Sequence, residues 1–207
     1  MKNLYSSYFI SAFLFLIIGH PQANETHTLH QFLLFEFNSH DHSSQLISHF
    51  QKILLGLNYR EIKVVKDNAR KNSKIRSTPF PVFANIAPYK PTSIPTRSIL
   101  FMQSSIHDVF HERRFDIITT AYQLQQKRIA ITALPNIHVW RDSKGNIWTI
   151  NHRRLASIIL AGNIDKIPVT WISQKTLDKN RFEFTTKVKG KSIDAFLTKN
   201  LIMTISH

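Results

Sequence analysis

Apolar residues follow several rhythms along this chain, and each rhythm predicts a different element. Residues 8–18 form an almost unbroken apolar run behind Lys2, closed by Gly19, His20 and Pro21 before Ala23. That is the shape of a secretory leader, and the run falls short of the roughly 20 residues that span a hydrocarbon core. Residues 1–23 are therefore read as a signal peptide, leaving an exported chain with no stable membrane span. Residues 33–37 look like a first strand. Ser43 and Ser44 offer caps for a helix through Leu57, with Leu46, Ile47, Phe50, Ile53, Leu54 and Leu57 on one stripe at helical spacing.

Beyond Val65 the periodicity fades, and the five prolines between Pro79 and Pro95 exclude a regular helix. Residues 24–78 read as an N-terminal basic α/β segment and 79–97 as an extended connection. After Arg97 the pattern becomes regular. A short strand is expected at 99–102 and a helix at 106–111 behind the caps Ser104 and Ser105, followed by a second helix at 117–126. Strands at 137–141 and 147–150 flank the turn residues Asp142-Ser143-Lys144-Gly145-Asn146, a hairpin signal. A helix from 151 is stopped by Gly162, and a strand follows at 167–173. The alternation in 181–188 predicts an outer strand, and 192–200 a last short helix. The expectation is an α+β domain, a small mixed sheet with packed helices, whose core is 98–173 and whose C-terminal extension is 174–207.

Composition narrows the chemistry. The 207 residues include no cysteine, which removes disulfide scaffolds, thiolate metal sites and a cysteine nucleophile. There are 27 Lys and Arg against 13 Asp and Glu, a formal net charge of +14. Only Lys2 lies in the leader, so the exported part keeps the basic character that favours polyanionic partners: nucleic acid, nucleotide, or an anionic membrane or cell-wall surface. The most basic stretch is 59–76, read as a solvated loop with the capacity to follow a phosphate backbone. The five histidines between His27 and His49 match no zinc pattern and read as a solvated polar segment.

The strand-to-helix corner Asn151-His152-Arg153-Arg154 concentrates the candidate chemistry. A helix start presents unpaired N–H groups and a positive dipole end. Arginine forks match phosphate oxygens, and a histidine can donate to phosphate or move a proton near neutral pH. Cations at a helix start are disfavoured by the dipole, so an anion held there would remove a penalty. Trp140, Trp148 and Trp171 flank this region and read as core or edge residues rather than stacking platforms.

With these residues in place, the chain from 98 to 173 resembles the ParB/sulfiredoxin-like superfamily. The resemblance rests on IWTINHRRLASIILAGNIDKIPVTWIS, a strand, tight turn and basic helix followed by Gly and an Ile-Pro-Val strand, and on the upstream FMQSSI junction seen in ParB-like domains of secreted bacterial proteins. It implies that Arg153 and Arg154 contact phosphate, and that His152 stands where the superfamily places His, Glu or the reactive Cys of sulfiredoxins. Thiol chemistry is excluded here. Asn151 replaces the usual glycine, tolerable because Asn enters left-handed conformations more readily than most residues. Gln103, Ser104 and Ser105 correspond to a junction that can supply further donors, or they are an ordinary helix cap.

The family includes nucleotide-binding, DNA-partitioning, phosphotransfer and nuclease members, and the fold alone does not choose among them. Two functions are expected. In the first, Arg153 and Arg154 hold a scissile phosphate, His152 acts as general acid or base, and Gln103, Ser104 and Ser105 orient the substrate of a nuclease. In the second, the same corner binds nucleotide or nucleic acid without turnover. A nucleoside triphosphate or a divalent metal is the conceivable cofactor, although no carboxylate cluster supports a two-metal site. Asp108 and Asp142 are the nearest acidic candidates, the latter expected to be solvated in its hairpin loop.

Overall fold

The computed structural model describes residues 54, 56–64, 79–84, 91–107, 117–181, 184–186, 189–197 and 201–207. The leader, the expected strand at 33–37, the histidine-rich segment, most of the expected helix before Leu57, much of the basic stretch and Asp108 lie outside the described residues.

Two mixed sheets and three helices make up the described fold, so the α+β expectation holds while the single small sheet becomes two. The first sheet has the order β1-β9-β8-β4, built from β1 (Glu61–Val64), β9 (Leu201–Ser206), β8 (Ser192–Phe196) and β4 (Ser105–His107). The second has the order β2-β7-β5-β6-β3, built from β2 (Ser93–Pro95), β7 (Lys166–Trp171), β5 (Ile137–Arg141), β6 (Ile147–Thr149) and β3 (Ile99–Phe101). Parallel pairs β3 with β6, β5 with β7 and β4 with β8 stand beside antiparallel ones in both sheets. Met102, Gln103 and Ser104 carry the chain from the second sheet to the first. The first sheet draws strands from the segments before residue 79, within 98–173 and after 174, so its hydrogen-bonded ladder runs across those sequence boundaries.

Helix α1 (Ile117–Gln125) packs on α2 (His152–Ala161), and α2 also lies against β4 and β9. Eight of the ten α2 residues are buried, and Leu155, Ile158, Ile159 and Leu160 among them each contribute about 1.5–3 kcal/mol by leaving water. Gly162 ends the helix at φ 76°, the left-handed cap its position predicts. Asn58 then takes up two carbonyls of the last turn, those of Ile159 and Leu160. Trp140, Trp148, Met102, Ile172, Leu177 and Phe184 form an aromatic-rich cluster at the second sheet, closed by Phe80 and Phe83 from the proline-rich segment, with Leu177 supplied by α3 (Gln174–Asn180). The proline-rich segment is thus packed against the sheet rather than only connecting it.

Several local expectations are overturned. Residues 105–107 form β4 instead of starting a helix, because Ser105, Ile106 and His107 pair in parallel with Asp194, Ala195 and Phe196. Residues 192–196 form β8 rather than a last helix. Their apolar residues alternate at Ile193 and Ala195, and pairing with β4 and β9 on both sides outweighs helical propensity. Residues 184–186 are not in a strand; Phe184 is core, while Thr185 and Thr186 both donate backbone N–H groups to the Met102 carbonyl. Part of the basic stretch, Glu61–Val64, is an ordered strand paired with β9. No helix among the described residues is long and apolar enough to cross a membrane.

Candidate functional site: the corner between β6 and α2

The corner forms because β6 runs out at Thr149 and its neighbours lock the turn. Thr149 is fully buried; its hydroxyl donates to the His138 carbonyl at 3.0 Å and accepts from the Asn151 N–H at 2.9 Å. The Asn151 side-chain oxygen accepts the His138 backbone N–H at 2.6 Å, while the Asn151 carbonyl accepts the Leu155 N–H that opens α2. Asn151 sits at φ −103°, ψ 62°. No left-handed conformation is required, so the glycine of the resembled motif is not needed here; an amide side chain that ties the corner to β5 stands in its place.

Because Asn151 spends its oxygen on β5, it makes no side-chain cap on α2, and the first turn holds no acidic residue. The helix start keeps its positive dipole end while carrying two arginines. Those arginines diverge. Arg153 donates through Nε to the His107 carbonyl at the end of β4, at 2.9 Å. Arg154 donates through Nη1 to the Asn136 carbonyl just before β5, also at 2.9 Å. Each thereby fastens the helix start to a different sheet. Burial lowers the proton affinity of the Arg154 guanidinium below its ordinary value, without bringing it near neutrality.

His152 faces inward, 4% exposed, its ring centroid 6.5 Å from that of the fully buried Phe101. A proton shuttle needs reach to a substrate atom, and this imidazole lies in the core between α2 and β3. The accessible imidazoles of the region are His138 and His107, both exposed. Neither was singled out from the sequence, although the alternation of β5 alone sets His138 opposite the buried Ile137 and Val139.

Gln103, Ser104 and Ser105 sit on the crossover between the sheets. Ser104 is buried; its N–H and hydroxyl lie 3.2 and 3.4 Å from the Thr185 hydroxyl, and its carbonyl accepts from the Asp194 N–H. Ser105 belongs to β4, and Gln103 is half-buried. These bonds tie the crossover to Thr185 and to β8, and β4 in turn lies against α2. The three residues are placed as structural joints beside the corner, with Ser104 in the interior.

Asp142 is 1% exposed, contrary to the solvated position expected. Its Oδ1 accepts from the Lys144 and Asn146 N–H groups, and its Oδ2 from the Asn146 amide and the Trp148 indole at 2.8 and 2.9 Å. Burial alone would raise its pKa, but these bonds outweigh it and hold the carboxyl below its ordinary range. It is a hairpin clamp. Trp140 and Trp148 are core, and Trp171 is half-buried with its indole donating to the Pro91 carbonyl. Among the described residues no group of three or more histidine or acidic side chains is arranged to hold a metal ion. The chain matches no family model, no curated protein and no solved structure.

Proposed function

We propose that the corner at residues 151–154 binds phosphate and that the protein is an exported basic module gripping nucleic acid or nucleotide. The observation that carries this reading is the α2 start itself: Arg153 and Arg154 in a first turn that has neither an acidic residue nor a side-chain cap. Two cations near the positive end of a dipole are unfavourable until an anion at the helix start offsets them. The net charge of +14 points the same way. The order of strand, corner, basic helix, Gly162 and β7 also supports a ParB/sulfiredoxin-like core over 98–173.

The interior position of His152 favours binding without cleavage over the nuclease reading, because a buried imidazole is poorly placed to exchange protons with a phosphodiester. The test incubates the purified protein with labelled DNA, RNA and nucleoside triphosphates, with and without divalent metal, and scores binding and breakdown. Salt-sensitive binding without breakdown, lost in Arg154→Gln, is the expected result. Breakdown that His152→Gln abolishes would establish the nuclease instead. Binding that survives Arg154→Gln and Asn151→Asp unchanged would remove the corner from the function.

A further inference from the structure

We propose a second ligand site, independent of the corner: Arg141, at the end of β5 and lying on the Trp171 ring, takes a monocarboxylate with an apolar body. Val139 is the register partner of Trp171, and alternation along β5 puts Arg141 on the same face as Val139. The guanidinium carbon stands 5.5 Å from the centroid of the Trp171 ring, a cation–π contact that steadies the planar fork. Both residues are also held through other atoms. The Trp171 indole donates to the Pro91 carbonyl at 2.9 Å, and the Arg141 carbonyl accepts the Ala84 N–H at 3.0 Å.

The observation that points to a ligand is the Arg141 Nε, buried without a hydrogen-bond partner. Buried polar groups are almost always paired, because an unpaired one keeps its desolvation cost. Among the described residues no carboxylate pairs with Arg141, and the neighbouring one is spent elsewhere: Asp142 gives both oxygens to Lys144, Asn146 and Trp148. Nη1 and Nη2 are not buried in this way, so the outer end of the fork is the accessible one, and an anion there offsets the charge of the whole delocalised cation. A carboxylate matches this fork in both its single charge and its pair of oxygens, whereas a phosphate brings a second charge that the indole does not answer. The apolar body is called for by Val82. Residues 82–84 run antiparallel to 141–143, with the Ser143 N–H on the Val82 carbonyl at 2.7 Å and Phe83 opposite Asp142. Phe83 turns to Trp140 and Asp142 to Trp148, so Val82, which alternates with Phe83, shares the face of Arg141. Val82 is 69% exposed, the one large apolar side chain so exposed among the described residues. A fork on an indole, beside an apolar side chain in water, suits an apolar acid, either free or as the last residue of a peptide.

The experiment titrates the isotope-labelled full chain with phenylacetate, phenylacetamide, inorganic phosphate, and acetyl-Ala-Phe with its carboxylate free or amidated, following the Arg141 Nε–H and Trp171 indole N–H signals. Saturable shifts at both are expected with the two carboxylates, at least about tenfold tighter than with the matching amides and tighter than with phosphate. Phenylacetate binding tighter than the peptide makes the ligand a free acid, and the reverse makes it a chain end; both uphold the site. Read at Trp171, Arg141→Gln should abolish the binding, and Arg141→Lys, which keeps the charge without the planar fork, should weaken it about tenfold. Val82→Ser, at an exposed position, should weaken it about threefold and serves if the Arg141 variants do not fold. Carboxylate and amide binding alike, phosphate binding tighter at Arg141, or no shift at Arg141 and Trp171 with any probe overturns the site. Shifts confined to residues 151–154 overturn it as well, while leaving the phosphate corner standing.

Discussion

The side-chain oxygen of Asn151 lies 2.6 Å from the backbone nitrogen of His138, a bond that spends the natural helix cap on the neighbouring strand. One residue therefore both fixes the corner and leaves the α2 start open to an anion. Asn151→Asp keeps an acceptor for His138 and places a carboxylate where it complements the dipole. Thermal stability should stay within about 1 kcal/mol of the parent, while phosphate or oligonucleotide affinity falls about tenfold or more. Asn151→Ala should do the reverse, losing about 1 kcal/mol of stability with binding reduced less. Parallel melting and binding curves separate the two effects.

Gly190 has φ +75°, and a Cβ there would stand 2.7 Å from Leu100 Cβ, 2.7 Å from Trp148 and 2.9 Å from the Phe101 carbonyl oxygen. Its N–H is held by the buried Thr186 hydroxyl, and its carbonyl accepts from the Phe101 N–H. Neither the backbone conformation nor the space admits a side chain. Gly190→Ala should cost about 3 kcal/mol, combining left-handed strain with overpacking, and chemical denaturation measures it.

Asp142 holds the β5–β6 hairpin by accepting four hydrogen bonds in a buried position. Asp142→Ala leaves the Trp148 indole and backbone donors unpaired and should cost about 3 kcal/mol, seen as a lower denaturation midpoint, with no loss of ligand affinity per folded molecule. Since its folded pKa lies below the ordinary 3.8, its stabilisation is complete above that value and is lost as pH falls through the folded value. The variant's acid limb should be correspondingly flatter.

The elements legible in the sequence were those set by local chemistry. Gly162 marked the end of α2, the Asp142–Asn146 turn marked the hairpin, and the apolar spacing of 117–126 marked α1. The first sheet was hidden because it is assembled from distant segments: β1 pairs with β9 across some 140 residues, and β8 becomes a strand only between β4 and β9. At the site, the spacing of Asn151, His152, Arg153 and Arg154 located the corner, but not which way each side chain turns. His152 buries itself against Phe101 because helix packing claims its face, while Arg153 and Arg154 part toward separate sheets. Asp142 was misplaced as solvated because nothing local signals the indole that meets it from β6.

The His207 ring packs on Phe101, its centroid 5.8 Å from that of Phe101, and Arg97 and Lys191 are the charges that act on it. Burial lowers its pKa below the ordinary 6.5; the Ile99 backbone pulls the other way, and the two cations add to the lowering. The neutral form is the one the fold accepts, so stability from this site is full above about pH 6.5 and declines as pH falls toward the lowered folded value. Melting temperature should drop between pH 7.5 and pH 5, and His207→Phe should remove part of that drop. An unchanged pH dependence in the variant would show that His207 has no part in it.

In the proposed function, phosphate meets the protein at the start of α2. Titration of the isotope-labelled protein with a short oligonucleotide, followed by the backbone amide signals of residues 151–154 and the arginine Nε–H signals, tests it directly. Saturable shifts are expected at His152, Arg153 and Arg154 and at the flanking His107 and His138, suppressed by salt. Saturable binding whose shifts fall elsewhere, for instance within the basic stretch 59–76, with 151–154 unmoved, would contradict it.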